Sequence, residues 1–324
     1  MEKTSYRKGE YRQGDTFLLF NIFSYDFDQK MPLPIGPKVY LDLTPSDILD
    51  RAEPKALADC IFPGYNLPIS TPNSCLRIPF NADFHSTLST NDFFFLSVSA
   101  LRLFAPIAIG ISGQFLLGPE DDLIDNPILY QIKSTWNPKQ NVYYNGRDID
   151  NANMICNRLY KLFYGSNACN YKRIISAYVL FSQVTIGFTL SYQMCIIGLF
   201  AALESLFVPK GDKKARPIAE RIVKFLDLPD SDESWLIDKY IHRSEIVHGN
   251  QDVKPWYGEL DKKKSEIFGK LHEITRLCIL GFLSLKDEKL NILSSANGTK
   301  LQNELNNLGK ADGEYFSGQH LWLD

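Results

Sequence analysis

The spacing of apolar residues changes near residue 150 of this 324-residue chain, and this change constrains its fold more than any other feature. Upstream, short apolar runs separated by Pro, Gly and Asn clusters are typical of strands. Downstream, apolar residues recur at helical intervals. Because the chain is also long enough for two cores, it predicts an α+β domain over residues 1–150 and an all-α domain over residues 151–324.

The individual elements follow from the same pattern. Strand-like runs occupy residues 16–23, 38–43, 107–112 and 128–136. Helical patterns occupy residues 151–164, 170–184, 187–207, 214–227, 232–248 and 259–285, with a shorter one at 299–308. Between the two domains, residues 137–147 have the composition of a linker or exposed turn. The sequence of the N-terminal domain contains no recognisable catalytic motif and leaves its role open.

Composition excludes several classes of protein. Apolar residues make up 44% and charged residues 23% of the chain, which is ordinary for globular domains. The net charge of −3 provides no overall attraction for nucleic acid. The six cysteines form no C-x-x-C pair and the N-terminus has no apolar signal core, so we expect reduced thiols and a cytoplasmic location. The longest clean apolar run, Met194 to Leu203, is about half the ~20 residues that a membrane span requires.

The segment from Tyr240 to Gly249, YIHRSEIVHG, carries the main functional signal. It places Arg243 and His248 on a short helix that we expect to end at a C-cap glycine, Gly249. A permanent cation and a side chain that titrates near neutral pH are therefore held close together. Such a pair suits chemistry on a phosphodiester.

A helical projection at about 100° per residue separates the side chains of this helix into two faces. The predicted buried stripe contains Leu236, Ile237, Tyr240, Ile241 and Val247. Within this stripe or at its edge fall Arg243, Ser244 and His248. The predicted solvent face contains Asp238, Lys239, His242 and Glu245.

An arginine on an apolar face needs a partner, because burying an unpaired charge is costly. Arg243 must therefore pair with a carboxylate, line a cleft or face a second subunit. In the structural alternative it forms a salt bridge with Glu204, the only charge between Ile174 and Pro209, and His248 merely caps its helix. The R-x-x-x-x-H spacing alone does not separate these readings.

The surroundings of the motif resemble a known family. YIHRSEIVHG resembles the R-x4-6-H signature of HEPN domains, in the ApeA-like branch, whose members commonly end in Arg-Ser-x-Ile-Val-His-Gly. GLFAALESLFVP, residues 198–209, resembles the apolar helix that precedes the motif in that family. IAERIVKFL, residues 218–226, resembles the intervening amphipathic helix. The resemblance covers about residues 155–285.

This resemblance implies an all-α helical bundle that dimerises, with the motif helices facing each other across a cleft. Many such proteins are endoribonucleases, independent of metals and cofactors, that act in phage defence by abortive infection or in toxin systems. Arg243 and His248 match the family's catalytic pair, and Ser244, Glu204 and Tyr240 are candidate supporting residues. Ser244 stands where many HEPN domains have Asn, Asp or His, which weakens a role for that position. Other members bind nucleotides or mediate assembly, so the alternative is a non-catalytic regulatory module whose N-terminal domain senses a trigger.

The ribonuclease reading predicts attack of the RNA 2′-OH on the adjacent phosphate. His248 serves as general acid or base, and Arg243 stabilises the charge that develops on the phosphate. One such histidine per chain is too few for both proton transfers, so a homodimer must supply the second. The five histidines form no metal-ligand pattern in the sequence, and we expect no metal.

Basic residues around the motif are candidates for contacts with the RNA backbone. The predicted RNA-binding residues are Lys213, Lys214, Arg216 and Arg221, and residues 262–264 form a second basic cluster. A solvated helix face is the alternative for both groups. Trp256 and Tyr257 are candidates for stacking on bases, whereas His242 and His272 are read as surface or structural residues.

Overall fold

The computed structural model describes residues 16–22, 25–26, 31–43, 74–79, 90–104, 109–117, 123–126, 144–165, 172–186, 191–209, 215–250 and 262–309. The chain divides into two compact units. The first comprises residues 1–133 and 141–160, and the second comprises residues 134–140 and 161–324. The predicted boundary at residue 150 therefore differs from the observed division, because most of the first predicted helix belongs to the first unit.

The first unit contains an antiparallel sheet of six strands, in the order β3-β4-β5-β1-β6-β7. These strands are β1 (Thr16–Ile22), β3 (Leu33–Pro34), β4 (Tyr40–Leu43), β5 (Ser74–Ile78), β6 (Ile109–Leu117) and β7 (Leu123–Asn126). Two short strands, β2 (Tyr25–Asp26) and β8 (Tyr144–Asn145), pair in parallel. Three of the predicted strand runs are confirmed as β1, β4 and β6, and the fourth, at 128–136, lies outside the described residues.

The described residues of the first unit also include the helix α1 (Thr90–Phe104) and most of the helix α2 (Gly146–Tyr164). Helix α1 was not predicted from the sequence, because its aromatic and branched residues have the composition of a strand. The two helices meet where the ring of Phe93 stacks on Tyr160, with centroids 5.6 Å apart. Aromatic burial of this kind stabilises the helix despite its composition.

A tight turn between β3 and β4 joins the sheet to both helices. The Ser97 hydroxyl of α1 donates to the Ile35 carbonyl at 2.9 Å, and the Gly36 N–H donates to Asn153 Oδ1 of α2 at 2.7 Å. Gly36 has φ +96°, which side chains rarely tolerate, and a Cβ at this position would lie 2.3 Å from Cys156 Sγ. Only glycine satisfies both the backbone angle and the close approach.

The second unit is helical throughout its described residues. Its helices are α3 (Lys172–Ile186), α4 (Tyr192–Phe207), α5 (Ala215–Leu226), α6 (Asp230–Val247), α7 (Lys262–Ser284), α8 (Asp287–Ser295) and α9 (Gly298–Asn306). The apolar helix α4 packs against α3, α5, α6 and α7. The predicted layout, an α+β part followed by a helical part, is therefore confirmed in outline, and α8 is an addition to the predicted helices.

The described residues bear on two further expectations. Within them, no helix is long and apolar enough to cross a membrane. The described cysteines Cys75, Cys156, Cys195 and Cys278 are buried thiols that form no disulfide, and burial raises the pKa of Cys156 to about 12. Such thiols are poor nucleophiles and serve as core residues.

His272 on α7 lies in the core, as the structural reading expected, with its ring 4.5 Å from that of Phe181. Burial, and then the neighbouring Arg276 cation, hold the pKa of His272 well below its usual value. As the pH falls below about 6.5, the unfolded chain therefore binds a proton at His272 that the folded chain excludes. The contribution of His272 to the free energy of unfolding is thus fully present above about pH 6.5 and is lost as the pH falls.

We expect the free energy of unfolding to fall between pH 7 and pH 5, with His272 contributing a slope of at most about 1.4 kcal/mol per pH unit. Replacing His272 with Phe keeps an aromatic ring beside Phe181 and removes the titration. Denaturant unfolding across this pH range should show a shallower dependence for His272→Phe than for the wild type. Identical slopes would show that His272 does not contribute.

Candidate functional site

The motif helix α6 ends in a hydrogen-bonded glycine turn, as the sequence predicted. His248 is its C-cap residue, and Gly249 follows with φ +73°. The Gly249 N–H donates to the Ile246 carbonyl at 3.2 Å, and the Asn250 N–H donates to the Glu245 carbonyl at 2.9 Å. These two bonds form a Schellman motif, which holds the last turn in place. His248 is therefore exposed on a backbone of defined geometry.

The buried face of α6 differs in part from the predicted stripe. Leu236 and Tyr240 are buried as predicted, but Ile241 and Val247 are 51% and 48% exposed. Ile246 is buried instead. Because α6 carries apolar residues on more than one side, the sequence did not determine which side packs against α4.

The two site residues consequently lie on different sides of the motif helix. Arg243 falls in the middle of the observed buried face, between Leu236 and Tyr240 on one flank and Ile246 on the other. His248 lies about 140° further around the axis, at ~100° per residue. The prediction that His248 lies within the apolar arc or at its edge was wrong, since the side chain is exposed.

Arg243 lies against Glu204 of α4. Its Nη2 atom is 3.5 Å from Glu204 Oε1, and each of the two side chains is 17% exposed. The guanidinium carbon lies 5.6 Å from the centre of the Tyr240 ring. The Nε atom of Arg243 is buried without a hydrogen-bond partner. The ion pair is therefore a single long contact and not a bidentate fork, for which distances of about 2.7–2.9 Å are usual.

Tyr240 connects the same carboxylate to the core. Its hydroxyl donates to Glu204 Oε1 at 2.5 Å, and its ring packs edge-on against Phe200 with centroids 5.3 Å apart. Burial raises the pKa of Tyr240, and the hydrogen bond to the Glu204 carboxylate raises this pKa further. The hydroxyl thus stays protonated at neutral pH and acts as a hydrogen-bond donor to Glu204.

Two arginines hold the last turn of α4, which follows Glu204. Arg173 of α3 donates to the carbonyls of Ser205 and Leu206 at 3.0 and 3.2 Å, and to that of Val208 at 3.2 Å. Cations near the C-terminus of a helix satisfy its free carbonyls and complement its dipole. Sequence reasoning missed Arg173, whose only signal is a cation at the start of a long apolar stretch.

Arg221 holds the same turn from α5. Its Nη1 atom donates to the Phe207 carbonyl at 2.6 Å, and its Nε atom donates to Asn306 Oδ1 at 2.8 Å. The side chain is buried. These contacts indicate a structural role, so the expectation that Arg221 contacts RNA is withdrawn.

The other predicted RNA-binding residues are only partly described. Arg216 is 76% exposed and lies 2.9 Å from Glu220, so it remains on the surface beside a carboxylate. Lys263 and Lys264 are exposed at the start of α7. Lys213 and Lys214, together with the stacking candidates Trp256 and Tyr257, lie outside the described residues.

Two other polar residues near the end of α6, Ser244 and His242, make backbone or packing contacts. The carbonyl of Ser244 accepts the N–H of His248 at 3.0 Å, which supports the last turn. His242 is half-buried, with its ring centroid 6.4 Å from that of Tyr192. The solvent position predicted for His242 was therefore only partly correct.

Among the described residues, no group of three or more His, Cys, Asp or Glu side chains is arranged to hold a metal ion. Comparison with known proteins provides no relative for this chain: no family model, no curated protein and no solved structure matches it. The site must therefore be interpreted from its own geometry and from the residues of its motif.

Proposed function

We propose that this chain is a metal-independent endoribonuclease of the HEPN type, in the ApeA-like branch, which acts as a homodimer. The observation that carries the proposal is the placement of Arg243. This arginine lies on the packed face of α6, yet it is partly exposed, its ion pair with Glu204 is a single contact of 3.5 Å, and its other contact is with the Tyr240 ring. A guanidinium in this state keeps N–H groups for phosphate oxygens.

The proposed reaction forms a bond from the RNA 2′-oxygen to phosphorus and breaks the bond from phosphorus to the 5′-oxygen. One histidine accepts the 2′-OH proton, and a second donates a proton to the leaving oxygen. The products are a 2′,3′-cyclic phosphate and a 5′-hydroxyl end. Arg243 stabilises the negative charge that develops on the phosphate during the transfer. His248 of each of two chains supplies the two proton-transfer groups.

The surface around His248 supports the dimer. Ile241 and Val247 are among the large apolar side chains that remain exposed, and they flank His248 on the same helix. Exposed apolar side chains mark an interface when they form a contiguous patch, and Ile241 and Val247 would contribute to such a patch beside His248. A second copy of α6 on this surface would bring two histidines and two arginines to one groove.

The structural alternative shares one observation with this proposal, namely the ion pair between Arg243 and Glu204. If that pair were only a core contact, we would expect a bidentate geometry with short distances. The alternative of a regulatory module predicts that a nucleotide raises the melting temperature of the protein while RNA remains intact. The proposed role in phage defence or a toxin system predicts instead that the protein itself cleaves RNA.

The test is cleavage of single-stranded RNA by the purified protein in EDTA, with the ends of the products identified. We expect His248→Ala to lower the rate by about 10²–10⁴-fold, because a general acid–base group is lost. The matched control is His242→Ala, six residues earlier on the same helix, which should cut at nearly the wild-type rate. Sedimentation at the assay concentration should give a dimer.

Three results would contradict the proposal. Cleavage that requires a divalent metal would exclude the metal-independent reaction. Cleavage by His248→Ala at the wild-type rate would remove the proposed acid–base group. Nucleotide-dependent stabilisation without cleavage of RNA would favour the regulatory module.

A further inference from the structure

Glu204 is the only charged residue between Ile174 and Pro209. It lies in α4, whose other neighbouring side chains, such as Leu203 and Phe207, are buried and apolar. Placing a carboxylate there is costly unless partners satisfy it. Two side chains of the motif helix α6, those of Tyr240 and Arg243, contact its Oε1 atom.

The backbone that carries Glu204 is held from two sides. The Glu204 carbonyl accepts the N–H of Val208 at 2.9 Å. Arg173 and Arg221 bind the carbonyls of the four residues that follow, 205–208, as described above. Since these guanidiniums come from two different helices, the carboxylate is presented to α6 from a fixed turn.

The two contacts at Glu204 Oε1 differ in length. The hydroxyl of Tyr240 lies at 2.5 Å, whereas Nη2 of Arg243 lies at 3.5 Å. The short hydrogen bond from Tyr240 sets the orientation of the Glu204 carboxylate. The longer contact orients the Arg243 guanidinium but leaves some of its N–H groups without a strong hydrogen bond. A long side chain that is already held in its binding conformation loses less conformational entropy when it binds a ligand.

We infer that Glu204, oriented by the Tyr240 hydroxyl, is a positioning residue that holds the Arg243 guanidinium ready for a phosphate group. This inference rests on the proposed ribonuclease function. Glu204 itself does not touch RNA and transfers no proton. Its effect on cleavage passes through Arg243.

The first test compares kcat and KM of Glu204 variants in RNA cleavage. Glu204→Ala should lower kcat by about 10–100-fold, because misplacing a charge-stabilising group by about 1 Å has effects of this size. KM should change little, since the residue does not contact RNA. Glu204→Gln retains an oxygen that accepts the Tyr240 hydroxyl and should recover part of the loss. The control is Glu288→Ala, an exposed carboxylate at the start of α8.

A double-mutant cycle separates positioning from general structural damage. In an Arg243→Lys background, which keeps a cation but removes the planar guanidinium, adding Glu204→Ala should cost less than about threefold. A residue that acted through stability alone would lower activity equally in both backgrounds. Equal losses in the two backgrounds, or full activity of Glu204→Ala, would overturn the inference.

A second readout does not depend on cleavage. The buried Nε–H of Arg243 should exchange slowly with solvent in NMR spectra of the wild type and rapidly in Glu204→Ala and Tyr240→Phe. If the Arg243 Nε–H exchanges slowly in the wild type but the protein does not cleave RNA, the contact between Glu204 and Arg243 is supported and the proposed ribonuclease function is rejected. Cleavage of RNA with unchanged Arg243 exchange in Glu204→Ala would reject the positioning role alone.

Discussion

Replacing Arg243 with Ala should lower kcat/KM for RNA by about 10²–10³-fold, the usual effect of removing one group that stabilises developing charge. Arg243→Lys should recover only part of this loss, because an ammonium group lacks the planar fork that binds two phosphate oxygens. The matched control is Lys300→Ala, which removes an exposed cation from α9. Initial rates on one RNA substrate in EDTA, at several substrate concentrations, measure the effect.

The stability of the same variant distinguishes a functional arginine from a structural one. Tyr240 still bonds Glu204 when Arg243 is absent, so we expect Arg243→Ala to lower the free energy of unfolding by only about 1–2 kcal/mol. A purely structural ion pair predicts the reverse, with a loss of about 3–5 kcal/mol and no effect on any activity. A denaturant titration on the protein used for the rate measurements separates the two outcomes.

Gly36→Ala should destabilise the protein strongly, with a loss of about 2–5 kcal/mol in the free energy of unfolding. The added methyl group would meet Cys156 Sγ at 2.3 Å, on a backbone with φ +96°. The turn cannot shift freely, because the Gly36 N–H is bonded to Asn153 of α2. Hydrogen exchange of the sheet amides, together with thermal unfolding, should report the loss.

Gly269→Ala is the matched control for this substitution. Gly269 lies inside α7, and a Cβ there would meet nothing within 4 Å. Alanine at that position should stabilise the protein by up to about 1 kcal/mol through helix propensity. A Cys156→Ala background should reduce the cost of Gly36→Ala, because the clashing sulfur is absent. Similar stabilities of Gly36→Ala and Gly269→Ala would contradict the proposed packing of the turn.

Local patterns predicted much of the second unit. The helical spacing of apolar residues identified six of its described helices, α3 to α7 and α9, and also α2, with ends within about five residues of those observed. Glycine chemistry predicted the end of α6, where Gly249 adopts φ +73°. These features depend on residues close together in sequence. The helix α1 was not predicted because its aromatic composition favours a strand locally, whereas in the structure Phe93 of α1 stacks on Tyr160 of α2.

Some features of the candidate site follow from the sequence alone, and others follow only from the tertiary structure. The sequence alone determined that Arg243 and His248 lie five residues apart near the end of one helix, and that Glu204 is the lone charge in the preceding apolar segment. The tertiary structure decided which side of α6 is buried, so that Arg243 meets Glu204 while Ile241 and Val247 remain exposed. It also removed Arg221 from the predicted RNA surface. A side chain's neighbours on other helices are set by long-range packing, and the periodicity of one helix does not encode that choice.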